Sequence, residues 1–355
     1  MDSMEPVRIG VVGLGNWGSF HATRLGETEA DLVGGVDIDP EARERFTETF
    51  DVPTYASLNG LAEAGADGVV ITTPNQYHEE QATSAFDLGL SVLIEKPLAH
   101  TLESAERIAA AAEDASGTCM VGFKNRFLPA VEVVDGYKNE GRLGEITHVE
   151  ANYVRRRGIP GRGSWFTQKD AAGGGALIDI GVHAIDLALY FLDFPEINEV
   201  LGQTRSQFGT RDEYTYLDMF GEDSGPGQFD VDDSTTAFLS CADGQTISLE
   251  CAWAADREPT DEFVVQGTEA GATLDRGTED LTIHRAETIG TPHFVNASIE
   301  TRDVDPIAAE QRAFATSIRT GRPPERNTPE QALRVQEVLD AIQRSAELGR
   351  AVEIE

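Results

Sequence analysis

The segment Gly13-Leu14-Gly15-Asn16-Trp17-Gly18 constrains this chain more than any other. It follows an apolar run at 7–12 and opens a stretch, 16–27, that reads as helix. Three glycines at this spacing have three uses. The first permits a tight turn, the second lets the backbone approach a pyrophosphate, and the third lets helix and strand pack closely. The helix N-terminus then offers free N–H groups and the positive end of its dipole to an anion. Glycine-rich turns that bind nothing share this spacing, so context decides. Here strand patterns at 32–36, 68–71, 91–94 and 119–123 alternate with helix patterns at 40–50, 76–88 and 101–115. That alternation predicts an α/β domain with a Rossmann-type, doubly wound parallel sheet.

Asp37 lies 19 residues after Gly18, at the end of the second strand pattern. A carboxylate there accepts from a ribose 2′-OH. It repels a 2′-phosphate by on the order of 4 kcal/mol per unit charge at ~4 Å and an effective dielectric near 20. No arginine follows immediately, so the expected cofactor is NAD rather than NADP.

The pattern changes after residue 126. A helix is expected over 128–139, then longer strands over 146–155, 235–240, 246–253 and 262–267. A polar, acidic, Gly-rich excursion or lid is expected over 203–233, and two helices over 306–320 and 329–348. The expected division is a dinucleotide-binding domain over 1–126 and an α/β domain with a large, mostly antiparallel open sheet over 127–355.

The 355 residues carry 62 acids against 28 basic side chains, a formal net charge of −34, and only four of the latter are lysines. The acids are spread along the chain. Such a surface repels nucleic acid and anionic lipid, so neither is an expected partner. Its self-repulsion is relieved by molar salt. We read it as the surface of a protein from a high-salt cytoplasm; the plainer reading is a moderately acidic enzyme. No apolar run approaches the ~18 residues of a membrane span. The start lacks the basic and apolar regions of a secretory signal, so cytoplasmic residence is the default expectation. The three cysteines form no CxxC pair, and the seven histidines make no ligand-spaced cluster, so no metal is expected.

Three further motifs carry chemistry. Thr72-Thr73-Pro74-Asn75-Gln76-Tyr77-His78 and Glu95-Lys96-Pro97 each follow a strand pattern, on the rim where open α/β sheets bind ligands. Asp179-Ile180-Gly181-Val182-His183-Ala184-Ile185-Asp186 follows a triple glycine at 173–175. With Gly122-Phe123-Lys124-Asn125-Arg126-Phe127, the Val265–Gly271 segment and the Pro-separated C-terminal helices, the chain resembles the glucose–fructose oxidoreductase/inositol dehydrogenase/MocA family throughout its length. The resemblance implies oxidation of sugar or polyol hydroxyls with NAD, a cis Lys96–Pro97 peptide, and homo-oligomers built through the C-terminal sheet. It assigns catalysis to Lys96, Asp179 and His183. It implies cofactor contacts from Gly13, Gly15, Asn16, Trp17, Gly18, Asp37, Thr73, Pro74, Asn75, His78, Glu95 and Lys96.

The residue types suit that chemistry. Hydride transfer from an alcohol needs a base for the hydroxyl proton and a donor for the oxygen. His183, in the first turn of an apolar helix, is held neutral by the helix N-terminus and fits the base. Lys96 fits the donor. Asp179, four residues before His183, shares its face or merely caps the helix. Asp186 reads as a supporting partner. His78 either touches the nicotinamide ribose or is structural. Arg126, Arg155, Arg157 and Trp165 are expected around the sugar, because arginine forks suit hydroxyls and an aromatic face suits a pyranose; the run Arg155–Arg157 reads equally as a solvated strand. Two other functions remain open on this fold: glycoside cleavage through transient oxidation by tightly held NAD, and a non-catalytic sugar or NAD sensor.

Overall fold

The computed structural model describes residues 5–217 and 221–354. The chain divides into two compact units. One holds the residues up to Phe127 together with Asp305–Leu333; the other holds Leu128–Val304 and the residues from Arg334 onward. The first boundary lies where the pattern changes. The tail departs from expectation, because Asp305–Leu333 belongs with the first unit. Its residues bond there: Arg24 Nε donates to Asp305 at 2.6 Å, Gln311 donates to the backbone of His21 at 3.0 Å, and Phe314 and Ala315 join the first unit's core.

In the first unit, β1 (Arg8–Val12), β2 (Asp31–Val36), β3 (Thr54–Tyr55), β4 (Gly68–Ile71), β5 (Ser91–Glu95) and β6 (Cys119–Gly122) form one parallel sheet in the order 3-2-1-4-5-6. The continuous apolar runs follow from this position. Strands covered on both faces by crossover helices bury every side chain, as β4, β5 and β6 do. The strand order reverses between β1 and β4, and the crevice at such a reversal is where α/β sheets take their ligands. The helix Pro40–Phe50 begins as expected, with Asp39 accepting from Glu41 N–H and Pro40 in the first turn. Thr101 caps the helix Leu102–Asp114.

The second unit holds a nine-stranded sheet: β7 (Ile146–Val154), β8 (Ile197–Arg205), β9 (Ser234–Cys241), β10 (Thr246–Ala252), β11 (Thr260–Gly267), β12 (Gly271–Asp275), β13 (Asp280–Glu287), β14 (His293–Ile299) and β15 (Val352–Glu353). Its order is 14-13-12-11-7-10-9-8-15, and every neighbouring pair is antiparallel except β7 with β10. One face is apolar, carrying Val149, Ala151, Ile247, Leu249, Cys251, Phe263 and Val265, and the helix Val182–Phe191 packs on β7 and β10. That helix continues a longer helical stretch, Lys169–Phe191, which by length and composition alone could cross a membrane. The sequence reading found no such run. Most of its apolar window, 89%, is buried inside the unit, as in the core helix of a globular protein.

Candidate functional site

The glycine loop turns at Gly13, whose φ of +89° is the left-handed backbone that glycine adopts without strain. Its N–H donates to Val36 O at 2.8 Å. A Cβ on Gly18 would lie 1.9 Å from Gly13 O, so the third glycine is demanded by the close return of the helix onto the turn. Gly15 differs. It precedes the helix Asn16–Leu25, and a Cβ there would meet nothing within 4 Å. No packing requires this glycine; it leaves open space at a helix N-terminus, as a bound pyrophosphate requires. Across the turn, Thr72 donates to Gly13 O at 2.7 Å, and the buried Thr73 hydroxyl has no hydrogen-bond partner among the described residues. Pro74 and the buried Asn75 begin the short 3₁₀ turn that follows.

Asp37 stands where expected. One oxygen accepts from the Leu14 N–H of the loop at 2.8 Å and the other from Asp39 N–H at 2.9 Å. Each oxygen keeps a lone pair for a ribose hydroxyl. The sequence reading missed Arg43, whose Nη1 donates to the carbonyls of Asp37 at 2.7 Å and Ile38 at 3.1 Å. It lies six residues on, but one helical turn brings it back beneath Asp37. Ile38 beside it is 88% exposed.

Several expected contacts are corrected. His78 is fully buried, its ring nitrogens 3.0 Å from Pro97 O and 2.9 Å from Thr73 O. Burial pulls its pKa down. It is a clamp between two loops and offers no face to a cofactor. Glu95 is also turned inward. One oxygen lies 2.8 Å from His21 Nε2 and the other accepts from Lys96 N–H at 3.2 Å. A buried carboxylate must find such donors within the chain. Arg126, expected at the sugar, is fully buried, donates to Gln331 and lies over the Phe123 ring. Trp17 stacks on Phe20 at 5.2 Å and lies under Lys124, shaping the helix start from its own unit. Asn16 is exposed in the first helical turn, and the Lys96–Pro97 peptide is cis.

In the second unit Asp179 lies in a π-helical turn, Leu177–Gly181, and His183 in the first turn of the α-helix that continues it. Such wide turns recur at functional sites. The helix N-terminus is therefore not at His183. It lies near Gly175, where Asp232 accepts from Gly175 N–H at 2.8 Å and Leu177 N–H at 2.9 Å. The dipole argument for a neutral His183 falls, because the free N–H groups lie two turns away. The triple glycine has a steric reason here: a Cβ on Gly175 would lie 1.8 Å from Asp232 O. Gly181 has another, since a Cβ would crowd Cys251 Sγ at 2.9 Å. That close approach to β10 brings Trp253, just beyond the strand and fully buried, to donate its indole N–H to Asp179 Oδ2 at 2.9 Å. Asp179 is thus an oriented side chain rather than a helix cap. No local signal in the sequence points to Trp253 as a partner of Asp179, since 74 positions separate the two. Asp186 is fully buried two positions before Ala188 in the helix.

Arg155 donates to Tyr153 Oη at 2.8 Å and Gly158 O at 3.3 Å, and its charge faces Asp179 and Asp261. Arg157 is committed elsewhere. It donates to Ala255 O at 3.1 Å, pairs with Asp256 and lies over Phe208. Trp165 is half-buried and stacked on Phe166 at 3.9 Å. Of the excursion expected over 203–233, residues 203–205 end β8 instead, and the rest contains no helix or strand among its described residues. It is tied down by Asp233, which takes the N–H groups of Gln207, Phe208 and Gly209 on one oxygen, and by Arg162 with Asp223.

Residues 7–123 match the model of the oxidoreductase family with an NAD-binding Rossmann fold, and residues 132–273 match the GFO/IDH/MocA C-terminal domain. The chain is 36% identical over 255 residues, 70% of its length and 69% of the relative's, to a putative UDP-kanosamine synthase oxidoreductase subunit of Amycolatopsis mediterranei. It is 28% identical to the D-glucoside 3-dehydrogenase of Escherichia coli, covering 99% of this chain and 98% of that one. A levoglucosan dehydrogenase solved with NADH and L-sorbose shares the fold, with a TM-score of 0.86 at 24% identity over 99% of this chain and 100% of that one. With a glycine cradle that a dinucleotide would fill and both halves of the family pattern in place, this chain belongs to the GFO/IDH/MocA family of NAD-binding oxidoreductases.

Proposed function

We propose that the protein oxidises a secondary ring hydroxyl of an uncharged glucose-type sugar, with C3 of a glucoside as the first candidate. The carrying observation is the Trp253–Asp179 hydrogen bond in the wide helical turn four residues before His183. It is a half-buried acid held in one orientation by a fully buried indole, which a catalytic acid–base pair needs and a packing role does not. Bound NAD supplies the hydride acceptor. Gly13, Gly15 and Gly18 shape its phosphate cradle, Asp37 takes the adenosine ribose, and Thr73, Pro74 and Asn75 line the opposite side of the turn. Lys96 donates to the substrate oxygen and stabilises its growing negative charge. His183 accepts the hydroxyl proton. Asp179 holds the imidazole in register.

The full-length E. coli relative acts on a neutral glucoside, whereas the A. mediterranei relative is named for a nucleotide sugar. Five arginines of the second unit, each facing a carboxylate, favour the neutral substrate. Arg162 is paired with Asp223, Arg276 with Asp261, Arg157 with Asp256 and Arg257 with Glu250, while Arg155 faces Asp179. A phosphate would have to displace these carboxylates. NAD is preferred over NADP because Asp37 faces the ribose and Arg43 is turned to backbone carbonyls. The working medium is molar salt, supported by the net charge of −34. The working form is a homo-oligomer through the second sheet. Leu201 and Phe238, direct cross-strand partners, stand 52% and 47% exposed there.

The test is NAD⁺ reduction across glucosides, free sugars, inositols and sugar phosphates in 2 M KCl, with product analysis. Net, sugar-dependent reduction favouring a glucoside supports the reading. Preference for a sugar phosphate, or glycoside cleavage without net reduction, overturns it.

A further inference from the structure

Beneath the glycine loop lies a buried polar chain that the reaction as written above does not use. His21, three residues after Gly18 and fully buried, places Nε2 2.8 Å from Glu95 Oε1. Gln311, on the helix Pro306–Thr320, donates from one amide nitrogen to His21 O at 3.0 Å and approaches His21 Nδ1 at 3.1 Å. The carbonyl fixes the orientation of that amide, since an oxygen there would face another oxygen. The imidazole is thus held at both nitrogens, by Gln311 at Nδ1 and by Glu95 at Nε2. Glu95 turns its other oxygen to the backbone N–H of Lys96. The charged groups acting on the Glu95 carboxylate are His21, Lys96 and Lys124, and the carboxylate in turn acts on the buried His78. Lys124 in turn lies 4.9 Å from the centre of the Trp17 ring, inside the glycine motif.

We propose that His21, held by Gln311, is a positioning residue for the reaction: it fixes the buried Glu95 carboxylate so that one negative charge sits between two lysines, keeping Lys96 a charged donor and Lys124 on the cofactor loop. An anchored carboxylate is the reason one helix, one strand end and one C-terminal helix must meet here. Removal of the imidazole frees Glu95 to turn toward either lysine alone. Burial by itself would raise the Glu95 pKa; the His21 hydrogen bond and charge, and after them the charges of Lys96 and Lys124, outweigh it and hold the carboxyl below its ordinary range, so it stays ionised. The inference rests on the assignment of Lys96 as the donor to the substrate oxygen.

The experiment compares His21→Leu, His21→Gln, Glu95→Gln and the double variant His21→Leu/Glu95→Gln, with Lys96→Ala in parallel, in 2 M KCl. NADH affinity is read by fluorescence, and kcat and KM with the best sugar. His21→Leu is expected to lower kcat about tenfold while NADH affinity stays within about twofold. His21→Gln, whose amide can still donate to Glu95, recovers most of that loss. In the Glu95→Gln background, His21→Leu costs nothing further. A folded His21→Leu enzyme with kcat within about twofold of wild type overturns the proposal, as do losses that multiply in the double variant. Should His21→Leu not fold, Gln311→Leu keeps the ring and removes its anchor; an unchanged kcat there overturns the proposal equally. Wild-type turnover in Lys96→Ala sinks the assignment of Lys96 itself, whereas an inactive Lys96→Ala beside an intact His21→Leu sinks only the role of His21.

Discussion

The two units hold their functional groups by different means. In the first, the cofactor residues stand on turns at the ends of parallel strands, and backbone geometry does most of the work: a left-handed Gly13, an open Gly15, a crowded Gly18. In the second, Asp179 and His183 lie in a buried helix and take their orientation from partners far along the chain, Trp253 and the cap residue Asp232. Cofactor binding is thus a property of short segments. The orientation of Asp179 is a property of packing. Substitutions should separate the two.

The sharpest separation is expected at His183. His183→Ala should lower kcat by a factor of roughly 10²–10⁴, the usual value of a positioned base, with NADH affinity near wild type because the glycine cradle lies in the other unit. Near-normal turnover across the pH range would move the base to another group.

The glycines test the opposite half. Gly18→Ala forces a Cβ against Gly13 O and should destabilise the first unit, visible as a clear drop in unfolding temperature. Gly15→Ala meets open space, so it should unfold near the wild-type temperature yet bind NADH at least several-fold more weakly. If both behaved alike, the distinction between a packed glycine and a ligand-facing one would collapse.

Trp253→Phe keeps the ring and removes the indole N–H from Asp179. It should cost about tenfold in kcat, with little change in NADH affinity. Equal losses in both would show that the contact supports the fold rather than the orientation of the acid.

Glu95 contributes to the acid limb of stability from within the first unit. The Glu95 pKa falls from 4.5 unfolded to about 2 folded, so its ionised form stabilises the protein above pH 4.5 and that contribution is lost as pH falls toward 2. Glu95→Gln should therefore destabilise at neutral pH and matter progressively less below pH 4.5. Urea unfolding at pH 7 and pH 3.5 reads the difference, and a penalty that does not shrink in acid would contradict it. The smallest effect is expected from Arg43→Ala: NAD⁺ and NADP⁺ should keep their order, with kcat/KM ratios changed by about threefold or less. A collapse of NADP⁺ use alone would show that the guanidinium turns to a 2′-phosphate.

Much of the first unit could be read in the sequence because its signals are local. Glycine spacing, an acid at a strand end and continuous apolar strands each reflect contacts within a few residues, and the helix Pro40–Phe50 and strand Gly68–Ile71 lie at the expected positions. The motif around Asp179 and His183 is visible too, but not where its helix begins. A helix start looks alike in sequence whether its N–H groups are free or capped by an acid more than fifty residues on, as Asp232 caps this one. Polar residues in motifs suggest function, so Glu95 and Arg126 read as ligand contacts, while His78 reads equally as structural. The structure encloses all three side chains, and an enclosed polar group must satisfy itself within the chain. Strands β8, β12, β13 and β14 went unread because their register depends on neighbours remote in sequence. The tail likewise joined the first unit through Gln311 and Phe314, contacts that no periodicity encodes. The sequence by itself determined the turn, the crossover pattern and the cofactor class. Only the tertiary structure decided which polar side chains remain open to a substrate, because burial depends on every element that packs around them.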